Sequence, residues 1–87
     1  MLKNYVVYIV RIKFKTNAVK YRKGWCIDSN IEIKKKDLLD LDTVKEAKFC
    51  IIYQTSDYET VQNVFNDINE NNLCHRFKKM LALGGEV

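Results

Sequence analysis

The sequence has no proline and only three glycines among its 87 residues. Because proline and glycine are the usual residues of turns and irregular loops, their scarcity predicts regular elements joined by short connections. The length and the absence of a linker pattern predict one small domain over residues 1–87. A hydrophobic fraction of 47% indicates a folded chain rather than a disordered one.

Long apolar runs are also missing. The longest cover residues 5–10 and 49–53, whereas a membrane-spanning helix needs about eighteen apolar residues. The N-terminus does not have the pattern of a secretory signal peptide. The cysteines are odd in number and widely spaced, which favours reduced thiols over a disulfide framework. We therefore expect a cytoplasmic protein without a membrane segment, in which Cys26 and Cys50 fill the core.

Residues with catalytic or metal-binding chemistry are few. The single histidine, His75, follows Cys74, and adjacent side chains point in different directions, so the pair cannot form a catalytic dyad or a chelate. The sequence contains no C-x-x-C pair, calcium loop, glycine-rich phosphate loop or nucleophile elbow. We therefore expect a protein that is not an enzyme and that uses no metal, cofactor or small-molecule substrate.

Acidic residues are absent from the first 24 positions, whereas the next 48 contain ten acids and five bases. Charge segregated this strongly along a short chain shapes its surface field and points to binding rather than catalysis. Seven cations occupy the acid-free segment: Lys3, Arg11, Lys13, Lys15, Lys20, Arg22 and Lys23.

Alternating apolar and polar residues predict an N-terminal β-hairpin with strands at residues 5–15 and 19–27. The predicted register pairs Lys15 with Lys20. Because cross-strand neighbours share a face, this register places the aromatic residues on one face and most cations on the other. Lys23 falls on the apolar face. The predicted cationic face consists of Arg11, Lys13, Lys15, Lys20 and Arg22.

Shorter patterns predict the elements between the hairpin and the first clear helix. Residues 31–35 are interpreted as a short third strand, and residues 37–46 as a turn or a short helix. Residues 48–54 are rich in aromatic and β-branched side chains, which indicates a buried strand.

The second half of the chain has helical patterns. Ser56 followed by Glu59 matches a capping box, and apolar residues then recur at helical spacing. These features predict an amphipathic helix over residues 56–71. Residues 73–82 are compatible with a second amphipathic helix or with a strand.

The predicted fold class is α+β. It comprises an antiparallel sheet of three or four strands led by the hairpin, one main helix over residues 56–71 and a short C-terminal helix. The main helix is expected to cover one face of the sheet. The predicted buried residues are Val6, Tyr8, Val10, Ile12, Phe14, Trp25, Ile51, Val61, Val64, Phe65, Ile68 and Phe77.

The first functional hypothesis is a small nucleic-acid-binding module. Clustered cations without local acids are more stable when an anion lies across them, and nucleic-acid phosphates are the commonest polyanion. Tyr5 and Trp25 are candidates for base stacking. A merely solvated, solubilising lysine face would produce the same pattern.

The second hypothesis is a protein-interaction module, such as a small regulator or inhibitor encoded by a phage or mobile element, that covers a partner's surface. Its partner would be an acidic protein surface that meets the hairpin, a basic protein that meets the main helix or, through self-association, a second copy. The acids predicted on the exposed face of the main helix are candidates for protein docking, although a solvated face would also explain them. These acids are Asp57, Glu59, Asp67 and Glu70.

Overall fold

The computed structural model describes residues 4–86, and Lys3 lies outside this range. In chain order the main elements are β1 (Tyr5–Phe14), β2 (Val19–Ile27), α1 (Ile31–Leu39), β3 (Val44–Thr55), α2 (Tyr58–Asp67) and α3 (Leu73–Ala82). The strands form an antiparallel sheet in the order β2-β1-β3. The predicted α+β fold with its N-terminal hairpin is therefore confirmed. None of the helices in residues 4–86 is long and apolar enough to cross a membrane.

The central strand β1 is buried on both sides. Its even-numbered residues, such as Val6 and Val10, belong to a core beneath α1, and we call this side of the sheet the α1 face. Its odd-numbered residues, such as Val7 and Ile9, belong to a second core beneath α2 and α3, which defines the α2–α3 face. The continuous apolar run at residues 5–10 fits a strand buried on both faces.

The register predicted for the hairpin is wrong. Lys20 pairs with Ile12 rather than with Lys15, a shift of three residues along β1. The Phe14 amide donates to the Ala18 carbonyl at 2.9 Å, and Asn17 has a φ of 70°. These features describe a three-residue loop that ends in a left-handed residue, a conformation that asparagine tolerates. Because the shift is an odd number of residues, β2 presents its side chains to the opposite faces from those predicted.

The segment predicted as a third strand, residues 31–35, is instead part of helix α1. A single turn of 3₁₀ helix, Asp28–Asn30, leads from β2 into this helix. Buried Ile31 and half-buried Leu38 both contact the core of the α1 face. Their spacing of seven residues corresponds to two helical turns, so one side of α1 packs on the sheet. The helix therefore carries the chain across the sheet from β2 to β3.

Helix α2 is shorter than the predicted helix over residues 56–71, because it begins at Tyr58 and ends at Asp67. Its N-cap is Asp57 rather than Ser56. The Asp57 carboxylate accepts hydrogen bonds from the Glu59 amide at 3.2 Å and from the Thr60 hydroxyl at 2.6 Å. The hydrogen bond from Thr60 is the main reason that the pKa of Asp57 lies below its ordinary value.

Residues 73–82 form helix α3, not a strand. Leu73 and Phe77 are its buried residues, and they pack into the core of the α2–α3 face. The Phe77 ring meets the Tyr21 ring edge to face, with their centres 5.5 Å apart. Helix α3 is therefore fixed to the sheet by aromatic contacts with β2.

Most of the predicted core is correct. The buried members of the predicted set are Val6, Tyr8, Val10, Ile12, Val61, Ile68 and Phe77. The other members are only half-buried, namely Phe14, Trp25, Ile51, Val64 and Phe65. The prediction omitted Val7 and Ile9, which are completely buried, because it assumed that only one face of the sheet is covered.

Candidate functional site

Of the five cations predicted on one face, four lie on two different faces and the fifth, Lys15, lies in the turn. Arg11 pairs with Tyr21 on the α2–α3 face, and Lys13 lies on the same side of β1. Lys20 and Arg22 pair with Ile12 and Val10, so they lie on the α1 face. The prediction of a single cationic face is therefore wrong, because it depended on the wrong register.

The five cations still share one end of the molecule. They all lie in the half of the hairpin next to its turn, and Lys15 is an exposed residue of the turn itself. Lys13 is opposite Glu46 of β3. In the described part of the chain, no ion pair joins Lys20 or Arg22 to an acid, and both side chains are exposed. The charge of Lys20 and Arg22 is therefore available to a partner.

Lys23 has a structural role. Its ammonium group donates to the carbonyl oxygens of Phe65 and Ile68 at 2.9 and 3.1 Å, at the C-terminal end of α2. It also lies 4.4 Å from the centre of the Phe65 ring. A cation at this position satisfies helix carbonyls and interacts favourably with the helix dipole and the ring. Lys23 therefore stabilises the packing of α2 on the sheet.

Within residues 4–86, one edge of strand β2 is unpaired. The hydrogen bonds at the two ends of the hairpin determine which backbone groups of β2 point outward. The Phe14 amide bonds to Ala18, and the Asp28 amide bonds to Asn4, so even-numbered residues form the hydrogen-bonded pairs. Hydrogen-bonded and non-bonded pairs alternate in an antiparallel ladder. The outward backbone groups are therefore those of the odd-numbered residues Val19, Tyr21, Lys23, Trp25 and Ile27.

The other edge of the sheet is partly covered. The Ile51 amide of β3 donates to the Gly85 carbonyl at 3.1 Å, and Cys50 forms a β-bridge with Glu86. Within residues 4–86, no strand covers β2 in this way. Unpaired edges are sites where another strand can add to a sheet.

Two clefts lie beside β2, one on each face. The cleft on the α1 face has a volume of about 470 Å³, with Tyr8 and Phe14 in its lining and Arg22 and Lys34 beside them. The cleft on the α2–α3 face has a volume of about 440 Å³. Residues lining the second cleft are Lys20, Tyr21, Arg22, Lys23, Glu70 and Leu73. Arg22 and Lys23 thus line both clefts, whereas Lys20 and Tyr21 line only the second.

Of the candidates for base stacking, Tyr5 is distant from the cations, whereas Trp25 lies three residues from Arg22 along β2, about 10 Å away, and on the opposite face of the sheet. The ring centres of Tyr5 and Trp25 are 6.1 Å apart, and Trp25 also meets Tyr58 at 5.4 Å, both edge to face. Tyr5 lies eight residues from Lys13 along β1, about 26 Å at about 3.3 Å per residue. Base stacking by these rings remains a prediction.

The four acids proposed for docking do not form one patch. Asp57 and Glu59 are at the start of α2, whereas Asp67 and Glu70 are at or beyond its end, about 15 Å away at about 1.5 Å per residue. All four are exposed. Glu70 lines the cleft of the α2–α3 face. Their role in docking remains a prediction.

The cysteines are free thiols. Cys26 and Cys50 are buried, as predicted, and burial raises the pKa of each thiol. Exposed Cys74 contacts the Tyr21 hydroxyl. The pKa of Tyr21 is raised mainly by burial and secondly by this contact. Residues 4–86 contain no group of three or more His, Cys, Asp or Glu side chains arranged to hold a metal ion.

The chain has no significant match among protein-family models, curated proteins or solved structures. Its function must be inferred from its own surface. In the part of the chain that the structure describes, the edge of β2 is unpaired, carries Lys20 and Arg22 without ion-pair partners and borders a cleft on each face. This edge is the feature of the surface that points most directly to a partner.

Proposed function

We propose that the protein is a small non-enzymatic interaction module that binds an acidic region of a partner protein through β2. The observation that carries this proposal is the combination of outward backbone groups with Lys20 and Arg22, two exposed cations that form no ion pair within residues 4–86. Clustered unpaired cations attract an acidic surface and accelerate its association. Exposed strand edges are a recurrent means of protein recognition.

The experiment is affinity capture from a nuclease-treated lysate of the source cells, with bound proteins quantified by mass spectrometry. The wild-type protein is expected to retain a stoichiometric acidic protein. The double variant Lys20→Glu/Arg22→Glu should retain at least about tenfold less of it, because like charges then face each other across the interface.

The matched control is Lys78→Glu/Lys79→Glu on α3, which makes the same change in net charge at two exposed residues. This control should capture the partner as well as the wild-type protein does. Equal losses in the two variants, or no stoichiometric protein in any sample, would contradict the proposal.

A second candidate function is the binding of nucleic-acid phosphates. The observation in its favour is that four accessible or half-exposed cations surround the end of a hairpin that contains no acid, namely Lys13, Lys15, Lys20 and Arg22. Contacts of this kind hold the phosphate backbone without reading sequence.

If nucleic acid is the partner, a fluorescent single-stranded oligonucleotide should bind with strong salt dependence. Four phosphate contacts reduce the affinity about fiftyfold between about 50 and 200 mM salt. The triple variant Lys13→Ser/Lys20→Ser/Arg22→Ser should no longer bind. Fluorescence anisotropy measures both effects, and salt-independent or unchanged binding would count against this function.

A further inference from the structure

We infer that the free edge of β2 accepts an extended acidic segment of the partner protein as a fourth strand of the sheet. This inference deepens the proposed function and rests on it. It adds the mode of recognition and the sequence pattern of the bound segment.

The backbone of β2 has the spacing that strand addition requires. Outward amide and carbonyl groups occur at alternate residues, including Val19, Tyr21 and Lys23, and Lys23 borders a cleft on each face. An added strand would lie about 4.8 Å from β2 and bond to these groups. Its side chains would then project alternately towards the two faces.

The side chains of β2 determine which residues the added strand should carry. On the α1 face, the neighbours of the added strand are Lys20 and Arg22, and opposite-charge cross-strand pairs favour acids there. On the α2–α3 face, the neighbours are Val19 and Tyr21, and Val19 is 42% exposed, so apolar side chains are favoured. The expected segment therefore alternates acidic and apolar residues.

In the registers centred on its cationic stretch, a second copy of the chain is a poor occupant of this edge. Antiparallel pairing of two β2 strands about Tyr21 places Lys20 against Arg22 twice, and pairing about Arg22 places Arg22 against itself. Like charges directly opposite each other destabilise a sheet. The charge of the edge thus favours a different protein over self-association.

The first test is a selection of peptides that bind the immobilised protein, from a displayed library of random sequences of about twelve residues. Peptides that also bind the Lys20→Glu/Arg22→Glu variant are removed by counter-selection. The enriched peptides should alternate acidic and apolar residues. The strongest binder is then synthesised with N-methyl groups at two alternate backbone amides on the strand-pairing edge. This change should weaken binding at least about tenfold, whereas methylation of the two intervening amides should have little effect.

Amide hydrogen exchange with the selected peptide supplies an independent readout. The outward amides of Val19, Tyr21 and Lys23 should exchange at least about tenfold more slowly on peptide binding. The amides of Lys20 and Arg22, which already bond to β1, should change little. This alternation distinguishes strand addition from contact through side chains alone.

The inference and the proposed function can fail separately. Enrichment of no peptide or of basic peptides, insensitivity to N-methylation, or no alternation in exchange would overturn strand addition. If lysate capture still depended on Lys20 and Arg22, the interaction function would stand with another binding mode. Loss of that dependence as well would reject the function itself.

Discussion

Replacement of Phe77 by alanine is expected to lower the free energy of unfolding by about 3–5 kcal/mol. Phe77 is 1% exposed and packs its ring against Tyr21, so truncation removes both apolar burial and an edge-to-face contact. A loss of this size is a large part of the total stability of a small domain. Urea denaturation followed by circular dichroism measures it.

Two further variants test whether the loss of stability comes from the buried side chain of Phe77. Phe77→Leu retains most of the apolar volume and should lose less stability than Phe77→Ala. Leu83→Ala, at a residue that is 74% exposed beyond the end of α3, should change stability by less than about 0.5 kcal/mol. A change below about 1 kcal/mol for Phe77→Ala would mean that α3 does not contribute to the core as described.

The hairpin shows where sequence patterns are sufficient and where they are not. Alternation and apolar content correctly predicted two N-terminal strands, but the register depended on the turn. Asn17 adopts a left-handed conformation that ends a three-residue loop. This turn gives a register that differs by three positions of β1 from the predicted one. Because apolar residues occupy both faces of β1, alternation along β1 could not reveal the error.

The first part of helix α1, residues 31–35, was predicted as a strand because its apolar pattern is weak. Ile31 and Ile33 alternate with polar neighbours as in a strand, but Ile33 is 58% exposed in the structure. The informative spacing was that of Ile31 and Leu38, seven residues apart and on one side of the helix. A single pair at that spacing is too little to distinguish a short helix from a strand.

The candidate site was only partly predictable. Lys20 and Arg22 were identified from charge alone, and they remain part of the site. The edge position of β2 follows from the strand order, which depends on the crossover through α1 and was not evident from the sequence. The register also determines which backbone groups of β2 point outward. The identities of the charged residues were therefore accessible to prediction, but their arrangement was not.

Replacement of Gly24 by alanine is expected to destabilise the protein by about 1–3 kcal/mol. A Cβ at this position would overlap the Cζ and Oη atoms of Tyr8, whose ring lies across Gly24. The ring cannot move inward, because its centre is only 4.9 Å from that of Phe49. Thermal or urea denaturation measures the loss.

A double-mutant cycle with Tyr8→Leu tests the cause of this loss. Leucine removes the ring atoms that the new Cβ would meet, so Gly24→Ala should cost much less in the Tyr8→Leu background. It should even become neutral or stabilising by up to about 1 kcal/mol, because alanine restricts the unfolded chain more than glycine does. Equal costs in both backgrounds would show that Gly24 is required for a reason other than contact with Tyr8. A change of sign would show that Gly24 is required because the Tyr8 ring occupies the space that a Cβ would fill.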